Sequence, residues 1–372
     1  MFFLALSYIK ILKIPKKILI IIQRSNGDVY LSLSLINALF EYFNSPKIDL
    51  LVNDDTLTVA RLLPHINFIH TFSYKKKQNM RWSQEKLILK KIYRKYDLSI
   101  NLTASDRSVI YAFIAAKKSI SPVENDNRKS WWKKFILTHH YFFDVNRHIL
   151  INNLEPLNLL QISHKNIQSA PEISDNVVEN VKKKLKNSGI KKFVIFHPSS
   201  QYRYKVYPTK LRNELLNLMS QLNIGVIVTG GKSEIDLEIK NSLPKLDNFL
   251  NLIGETSMEE YIALSNLSQC YIGMDTLNMH IAASQNKRIF AIFGPTNLRM
   301  WSPWSNYLKS SAIFNQPIQT YDNVTIFQAE MSCVACGMAG CNDNFGNSDC
   351  LDNISPKLVF DHITKWYKSE RI

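Results

Sequence analysis

Short, continuous apolar runs alternate with segments of helical periodicity along most of this chain. The first run, KILIIIQ at residues 17–23, is followed by a turn at Asn26 and Gly27, a helical segment up to Phe43 and a second run, KIDLLVND. Runs of this length are typical of strands that are buried on both faces of a parallel sheet. Strand, helix and strand in this order make one βαβ unit, so the pattern predicts an α/β fold.

The alternation is interrupted twice. Residues 119–146 are rich in Lys, Arg, Trp and Tyr with weak periodicity, which predicts a long loop or an irregular helical insertion. A polar segment with Pro171 then predicts a linker followed by a helix. Beyond it the strand patterns resume in KFVIFHPSS, GVIVTGG, FLNLIG, CYIGMD and RIFAIFGP. The 372 residues therefore predict two α/β domains of about half the chain each.

The net charge is +15, and most of it lies in the first half. Residues 1–170 hold 25 Lys and Arg against 12 Asp and Glu, a balance of +13, which leaves +2 for the remainder. This asymmetry predicts an anionic partner for the first half: nucleic acid, an anionic membrane surface or a phosphorylated substrate. The alternative is a Lys-rich sequence with solvated faces. Apolar residues at 45% and charged residues at 21% argue against a disordered chain.

The start of the chain, MFFLALSYIKILKIPKK, carries an apolar run that Lys10 and Lys13 interrupt. The run is too short for the roughly 20 apolar residues of a membrane-spanning helix. It also lacks the basic region and the small-residue cleavage site of a signal peptide, so we expect a cytoplasmic protein. An interfacial helix that touches the membrane is the alternative.

Four loops after predicted strands carry the candidate functional residues, because open parallel sheets bind ligands at the carboxyl ends of their strands. In the first, QRSNGDVY, Asp28 is either a helix cap or a general base for a hydroxyl. In the second, HPSSQYRYKVYP, Arg203 and Lys205 follow two serines. That set suits phosphate oxygens, although exposed basic side chains are commonly only solvated.

The third and fourth loops lie further along the chain. In TGGKSEIDLE, Glu234 is placed either to accept hydrogen bonds from a ribose diol or to cap a helix. In YIGMDTLNMH, we expect Asp275, Thr276 and the following amides to line a diphosphate, with His280 one turn into the helix. The alternative is a helix cap at Asp275 and a buried core histidine at position 280.

A cysteine cluster near the C-terminus, Cys333, Cys336, Cys341 and Cys350, spans 18 residues. Its CxxC pair and the two later cysteines have a spacing compatible with a tetrahedral structural zinc. Free thiols are the alternative, and disulfides are less expected in a reducing cytoplasm. A catalytic zinc is not expected, because no histidine lies among the four.

Taken in order, these segments resemble family 9 glycosyltransferases, the bacterial heptosyltransferases of lipopolysaccharide inner-core synthesis. The resemblance covers most of the chain and rests on ILIIIQRSNGDVYLSLSLINAL, FHPSSQYRYKVYP, VTGGKSE, YIGMDTLNMHIAA, IFGPTNLRMWSPW and CLDNISPKLVFDHI. Three positions depart from the family pattern. Leu277 stands where the family usually has Gly, Tyr207 where it has Trp, and Ser199 or Ser200 near its usual Gly.

The resemblance implies a GT-B fold, in which two Rossmann-like domains face a central cleft. Residues 1–170 are then the acceptor-binding domain and residues 171–355 the nucleotide-sugar domain. Residues 356–372 form a C-terminal helix that is expected to pack back on the first domain.

The implied activity is inverting, metal-independent transfer of heptose from ADP-heptose to the lipopolysaccharide inner core, with no cofactor required for catalysis. Asp28 is the implied general base, and Lys205 stabilises the departing diphosphate. The chain has no Asp-x-Asp pair of the kind that metal-dependent glycosyltransferases use.

The implied binding residues divide between the two domains. The donor set is Ser199, Ser200, Lys205, Glu234, Asp275, Thr276, Leu277, His280, Gly294 and Thr296. The acceptor set is Gly27, Arg107, Lys118 and Arg128. The implied partners are a nucleotide-sugar donor and an acidic lipopolysaccharide-core or related glycolipid acceptor, with peripheral contact at the inner membrane.

Two other functions stay open at the level of sequence. One is the same fold using another nucleotide sugar for a different surface glycan. The other is a non-catalytic protein that binds a nucleotide or a polyanion. Nucleic acid is not the expected partner, because RKSWWKK alone interleaves basic and aromatic residues as single-strand binding requires.

Overall fold

The computed structural model describes residues 14–370, apart from the side chains of residues 77–79 and 81. Most of the N-terminal apolar run, and with it the interfacial-helix alternative, lies outside the described residues. By its internal contacts the chain divides into a first unit that ends at Pro171 and a second unit that begins at Glu172. Within the described range, no helix is both long enough and apolar enough to cross a membrane.

The first unit is built on one parallel sheet. Its strands are β1 (Lys17–Ile22), β2 (Lys47–Asn53), β3 (Ile66–Phe72), β4 (Tyr96–Asn101), β5 (Ala116–Val123) and β6 (His139–Phe142). They lie in the order β3-β2-β1-β4-β5-β6, and every neighbouring pair is parallel. Strand β1 is buried along nearly its whole length, as its continuous apolar run predicts.

Helices cover both faces of this sheet. They are α1 (Asn26–Tyr30), α2 (Leu33–Tyr42), α3 (Leu57–Ala60), α4 (Lys77–Ile92), α5 (Asp106–Ala115), α6 (Asn127–Ile136) and α7 (Ile149–Leu159). From β1 the chain first adds β2 and β3 on one side of this strand, and it then returns to add β4, β5 and β6 on the other side. Because the crossovers are right-handed, α1 to α3 lie on one face of the sheet and α4 to α6 on the other. Accordingly α5 packs against both α4 and α6, and α2 packs against α7.

The expectation of a long loop or irregular insertion over residues 119–146 is wrong, because β5, α6 and β6 occupy it. Asp126 caps α6 by accepting a 2.9 Å hydrogen bond from the Arg128 amide, and β6 extends the sheet by pairing with β5. The helical periodicity is weak because Lys133 is fully buried, whereas Trp131 and Phe135 are exposed.

The second unit also has one main sheet. Its strands are β7 (Phe193–His197), β8 (Gly225–Val228), β9 (Phe249–Asn251), β10 (Cys270–Met274), β11 (Arg288–Ile292), β12 (Ile318–Tyr321) and β13 (Val324–Phe327). The order is β12-β13-β11-β10-β7-β8-β9, and β12 alone is antiparallel. Sequence patterns predict β7 to β11 but not the β12–β13 hairpin, whose turn places Asp322 at φ 45°.

Eight helices are described in this unit. They are α8 (Asp175–Asn187), α9 (Thr209–Met219), α10 (Glu234–Asn241), α11 (Met258–Leu267), α12 (Leu277–Ser284), α13 (Leu298–Trp301), α14 (Asp349–Asp352) and α15 (Pro356–Ser369). The core lies between the sheet and its helices, and it includes Phe196, Ile272 and Phe290 from the central strands.

The C-terminal helix α15 contributes to the core of the second unit, and its expected packing on the first domain stays a prediction. Helix α15 packs against α9, and its Val359 and Ile363 are buried in the second core. The Trp366 ring meets Phe290 edge-on, with a 5.8 Å separation of ring centroids. The apolar face of α15 is therefore used to cover this core.

Gly273 is required where β10 lies beside β7. It pairs with His197 in the parallel register, and its φ is 155°. A Cβ atom at this position would lie 2.3 Å from the backbone oxygen of His197, well inside van der Waals contact. The carboxyl ends of the two central strands can come this close only because residue 273 has no side chain.

We expect Gly273→Ala to lower the free energy of unfolding by about 2–3 kcal/mol, because the new methyl group forces the two strands apart. Chemical denaturation followed by circular dichroism measures the loss. Gly189→Ala is the control: its φ is 72° but nothing lies within 4 Å of the added carbon. In that control the loss in the free energy of unfolding comes from backbone strain alone and is about 1 kcal/mol. Equal losses in the two variants would contradict the proposed close contact.

Candidate functional site

In the first unit, polar side chains gather where the strand order reverses, between β1 and β4. The Gln23 amide, just after β1, donates a 3.0 Å hydrogen bond to the Thr103 hydroxyl after β4. Arg107, on α5, approaches the Gln23 side chain at 3.4 Å and stacks on the Phe72 ring, with its guanidinium carbon 3.7 Å from the centroid. Such reversal points are the usual ligand crevices of open α/β sheets, so Arg107 lies where an anionic ligand is expected.

Asp28 lies at the same edge, in the first turn of α1, and is almost fully buried. Ser25 is the N-cap, and Asp28 completes a capping box by accepting hydrogen bonds from the Ser25 hydroxyl at 2.7 Å and amide at 3.2 Å. The second carboxylate oxygen is 2.7 Å from Nε of Arg24, which lies over the Phe143 ring. Asp28 therefore takes part in helix capping, as the partner of the N-cap Ser25, and its role as general base stays a prediction. Gly27 precedes Asp28 and is buried in the same turn.

Two of the predicted acceptor residues are not brought to Asp28. Lys118 is level with Leu98 and therefore with Ile18, near the amino ends of β5, β4 and β1. That is the opposite edge of the sheet from Asp28. Arg128 follows the carboxyl end of β5, but its side chain is 93% exposed, with an ion pair of 3.5 Å to Asp126. Sequence spacing cannot predict how far along the strands these two residues lie, because that position depends on the register of β5.

Sequence reasoning missed Lys133, which is fully buried on α6. Its Nζ contacts Asp106 at 2.6 Å, Glu124 at 2.7 Å and the Ala104 carbonyl at 3.0 Å. These partners come from the loops after β4 and β5 and from the start of α5. A buried lysine needs such charge partners, so this cluster holds the loops beside the candidate acceptor crevice in place.

In the second unit, the strand order reverses between β7 and β10, and the predicted second and fourth loops meet there. Lys205, in a single 3-10 turn after β7, places its Nζ 3.2 Å from Asp275, which directly follows β10. The Asp275 side chain is 7% exposed and that of Lys205 is 25% exposed. The ion pair joins residues that are 70 positions apart in the chain.

Helix α12 begins immediately after Asp275, with Thr276 as its N-cap and Leu277 as its first residue. The first amides of a helix lack partners within it and carry partial positive charge, which favours an anion. Lys205 adds an ammonium group at this end, where it is paired with Asp275. Leu277 is half-buried at the first position of α12. The arrangement suits a diphosphate near the start of α12.

Two buried histidines lie beside this helix end, and both are neutral at pH 7. Burial lowers the pKa of His280 to about 4, with opposing effects from Asp275, which raises it, and Lys205, which lowers it. Burial likewise lowers the pKa of His197 to about 4. His197 contacts the Thr229 hydroxyl at 3.0 Å and the Asn278 amide at 2.9 Å, linking the loops after β7, β8 and β10. Neither His197 nor Asn278 was among the predicted site residues.

The buried carboxylate of the third loop is Asp236 and not Glu234. Asp236 accepts hydrogen bonds from the Ser199 hydroxyl at 2.5 Å, the Gly231 amide at 2.8 Å and the Ser233 hydroxyl at 2.6 Å. Glu234 is exposed at the first position of α10. The spacing Ser233-x-x-Asp236 is a capping box, a signal that was available in the sequence. Ser199 therefore ties the second loop to the third through Asp236.

The remaining predicted donor residues lie after β7 and β11. Ser200 is buried next to Ser199. Gly294 packs against Leu351, because a Cβ atom there would lie 3.0 Å from Cγ of that residue. Thr296 is 7% exposed, and its hydroxyl has no hydrogen-bond partner among the described residues. A buried hydroxyl in that state is suited to a ligand that supplies the partner.

The four C-terminal cysteines are not arranged as ligands of a metal. Cys333 and Cys336 are exposed, Cys341 is half-buried and Cys350 is buried in the second core. Burial, together with the charges of the other three thiols, raises the pKa of Cys350 to about 11. Within residues 14–370, no group of three or more His, Cys, Asp or Glu side chains is placed to hold a metal ion. The structural zinc gains no support from this geometry and stays a prediction from spacing.

The sequence is similar to known transferases. A family model described as "Glycosyltransferase family 9 (heptosyltransferase)" matches residues 86–328. Lipopolysaccharide heptosyltransferase 3 of Escherichia coli (strain K12) is 26% identical over 290 residues, which covers 76% of this chain and 84% of that protein. The lipopolysaccharide core heptosyltransferase OpsX of Haemophilus influenzae is 23% identical over 319 residues, or 82% of this chain and 86% of OpsX.

Solved structures share the fold. The ADP-heptose lipopolysaccharide heptosyltransferase II of E. coli aligns with a TM-score of 0.68 at 17% identity, covering 96% of this chain and 100% of that one. A family 9 glycosyltransferase from Veillonella parvula aligns with a TM-score of 0.65 at 19% identity, covering 78% and 83%. At these identities the likeness concerns the fold, and it confirms the expected GT-B class.

We expect Asp236→Asn to lower the free energy of unfolding by about 2–3 kcal/mol, because an amide cannot replace a carboxylate that accepts hydrogen bonds from three donors. ADP binding should weaken as the loop at Ser199 loses its anchor. Denaturant titration and calorimetry measure the two effects. Glu234→Gln, two residues away and exposed, is the matched control for stability and should change it by less than about 0.5 kcal/mol. A loss as large in the control would contradict the role given to Asp236.

The same variant has an expected pH dependence. Burial alone would raise the pKa of Asp236, but the hydrogen bonds from Ser199, Ser233 and Gly231 lower it below its ordinary 3.8. A lowered folded-state pKa means that the carboxylate stabilises the fold above the ordinary value and loses that effect as the pH falls through the folded-state pKa. The difference in unfolding free energy between the native protein and Asp236→Asn should therefore shrink below about pH 4.

Proposed function

Because this chain belongs to glycosyltransferase family 9, we propose that it transfers heptose from ADP-heptose to the lipopolysaccharide inner core with inversion and without a metal ion. Family membership makes it a glycosyltransferase of the heptosyltransferase type. This counts against the non-catalytic alternative. The observation that carries the finer proposal is the ion pair between Lys205 and Asp275 at the start of α12. It puts the Lys205 ammonium group at the start of α12, where positive charge stabilises a departing nucleoside diphosphate.

The second unit is proposed to bind the donor. Its helix amides after Asp275 and the Lys205 ammonium group contact the diphosphate. Thr296 offers its hydroxyl, which has no hydrogen-bond partner in the described part of the chain. His280 is neutral and buried, so it contacts the donor as a hydrogen-bonding group and not as a cation. Glu234 is proposed to hold the ribose from its exposed position on α10, with Asp236 fixing the loop beneath it.

The first unit is proposed to bind the acidic acceptor. Arg107 lies at the reversal point of the sheet beside Gln23, and Arg24 lies next to Asp28. Asp28 is enclosed by Arg24, so an acceptor hydroxyl reaches it when an anionic group of the acceptor draws the guanidinium away. Binding of the acceptor therefore also makes the Asp28 carboxylate available as the general base.

The proposed reaction is a single displacement. Asp28 takes the proton of the acceptor hydroxyl, and that oxygen forms a bond to the anomeric carbon of the heptose. The bond from the anomeric carbon to the phosphate oxygen breaks on the opposite face, and ADP departs with its new negative charge beside Lys205. Attack opposite the leaving group inverts the anomeric centre.

The location proposed for this reaction is the cytoplasm, with peripheral contact at the inner membrane. The support is the lipid-linked acceptor of the proposed reaction and the basic character of the first half.

Another nucleotide sugar is the second candidate donor, and Leu277 is the observation that favours it. A half-buried leucine at the first position of α12 replaces a glycine of the family pattern and narrows the space beside the diphosphate. Hydrolysis and transfer assays with ADP-heptose beside UDP-linked and GDP-linked sugars distinguish the two donors. If a UDP-linked or GDP-linked sugar is turned over faster than ADP-heptose, that sugar and not ADP-heptose is the donor.

We expect Asp28→Asn to lower the rate of transfer by on the order of a hundredfold or more, because the amide cannot accept the proton. Donor binding, followed by ADP titration, should be unchanged. Ser25→Ala is the control, since it removes the capping partner and leaves the carboxylate. It should cost about 1 kcal/mol of stability and retain transfer. Normal transfer by Asp28→Asn would remove Asp28 as the base.

Dialysis against EDTA should leave the rate of transfer unchanged, because Lys205 and the helix amides supply the charge stabilisation that a divalent ion provides elsewhere. Rates are compared before dialysis, after it and after adding Mg²⁺ back. A rate that falls and then recovers with Mg²⁺ would contradict metal independence. Zinc content, measured on the undialysed protein, tests the separate prediction for the four cysteines.

A further inference from the structure

The helical layer of the first unit formed by α4, α5 and α6 exposes large apolar side chains that the opposite layer does not. In the described parts of α1, α2, α3 and α7, the one large apolar side chain that is exposed is Tyr42. The α4–α6 layer exposes Met80, Trp82, Leu87, Ile110, Phe113, Trp131 and Phe135. Of these, Phe135 is 86% exposed and Trp82 is 80% exposed. Isolated exposed apolar residues are ordinary, but a concentration on one layer marks an interaction surface.

The outward face of α4 combines these apolar groups with basic ones. Trp82, Lys86 and Lys90 are spaced by four residues, so they form one row along the helix. All three are exposed, whereas Ile88, on the opposite side of the helix, is buried in the first core. Lys91 is exposed next to this row. The face that should be polar on an ordinary surface helix thus carries an indole among lysines.

This face carries three lysines, Lys86, Lys90 and Lys91. None of Lys86, Lys90 and Lys91 takes part in an ion pair among the described residues. Glu85, the carboxylate on the same helix, is instead bound by the Tyr111 hydroxyl. The positive charge of α4 is therefore available to an external anionic surface.

Helix α6 repeats this combination at the other side of the layer. Trp131 is 67% exposed, and Lys129 is exposed beside it. Lys134 lies over the exposed Phe142 ring at 4.9 Å from its centroid. Helix α5, which packs between α4 and α6, contributes the apolar Phe113, over which Arg94 is stacked. Basic and apolar groups are thus interspersed across all three helices.

A groove between β3 and α4 extends the surface. Its volume is about 380 Å³, and its lining combines the apolar Phe68, Met80 and Leu87 with Lys76 and Lys91. An apolar floor with ammonium groups is suited to a phosphate headgroup and the first carbons of its acyl chains.

We propose that the outer surface of α4, α5 and α6 docks this protein on an anionic phospholipid membrane, with the aromatic side chains in the headgroup region and the lysines on lipid phosphates. The proposal rests on the proposed function, whose acceptor is anchored in a membrane by lipid. Nucleic acid fits the surface less well, because the aliphatic side chains of Leu87 and Ile110 cannot stack on bases. Amphipathic surfaces of this composition bind lipid interfaces through buried apolar area and charge together.

The test is co-sedimentation of the full chain with vesicles of phosphatidylcholine alone or mixed with phosphatidylglycerol. We expect binding to the mixed vesicles that weakens with salt. The triple variant Lys86→Gln, Lys90→Gln, Lys91→Gln should weaken it on the order of a hundredfold. The control triple variant Lys183→Gln, Lys186→Gln, Lys191→Gln removes the same charge from exposed positions of the second unit and should bind normally.

The apolar contribution is tested by Trp131→Ala with Phe135→Ala, expected to weaken binding about tenfold. Its matched control is Tyr307→Ala with Phe314→Ala, exposed aromatic residues of the second unit. Equal binding by the native protein and both layer variants overturns the proposal. Binding to single-stranded RNA without binding to anionic vesicles also overturns it.

Failure of this proposal is distinguishable from failure of the proposed function. Transfer to a deacylated, water-soluble acceptor does not need a membrane, so both layer variants should retain that activity. Loss of vesicle binding in the layer variants, with transfer to the soluble acceptor retained, supports the docking surface. If the protein binds vesicles but has no transferase activity, the docking surface is supported and the proposed enzyme function is contradicted.

Discussion

Parallel strand alignment brings residues from distant segments to one edge of each sheet, and both candidate sites depend on it. In the second unit, Gly273 pairs with His197, so Asp275 and the loop that carries Lys205 leave neighbouring strands at the same level. In the first unit, the same geometry brings Gln23 to Thr103. Because backbone amides and helix starts also point to this edge, anions are favoured there before any side chain is considered.

Buried polar groups then fix the loops that this alignment brings together. Asp236 joins the second loop to the third, His197 joins it to the fourth, and Lys133 holds the loops beside the first-unit crevice. Each is a polar or charged group whose burial is costly unless its partners are present. The result is a set of loops held in one geometry before a ligand arrives, which is what stabilising a departing diphosphate requires. The described structure gives this role to residues that do not themselves need to contact the substrate.

The two units divide their charge in a way that fits two different partners. The second unit has nearly balanced charge, and its candidate site places Lys205 beside Asp275 at the start of α12. The first unit carries most of the excess, and part of it lies on an outer layer that also exposes apolar groups. Charge spread over a surface attracts an extended anionic partner. The excess positive charge of the first half of the sequence thus lies partly at the candidate acceptor crevice and partly on the outer surface of α4, α5 and α6.

Local patterns in the sequence were enough for the α/β class, the strand order along the chain and the loops where residues such as Asp28, Lys205 and Asp275 lie, because strand and helix periodicities and turn residues act over short distances. Burial and strand register were not predictable in this way. They decided that Asp236 and not Glu234 is the buried carboxylate and that Lys118 lies at the edge of its sheet opposite Asp28. They also decided that residues 119–146 include helix α6, with its buried Lys133, between β5 and β6. Each outcome depends on contacts between segments far apart in sequence, such as Ser199 with Asp236 across 37 positions, and only the folded chain brings those segments together.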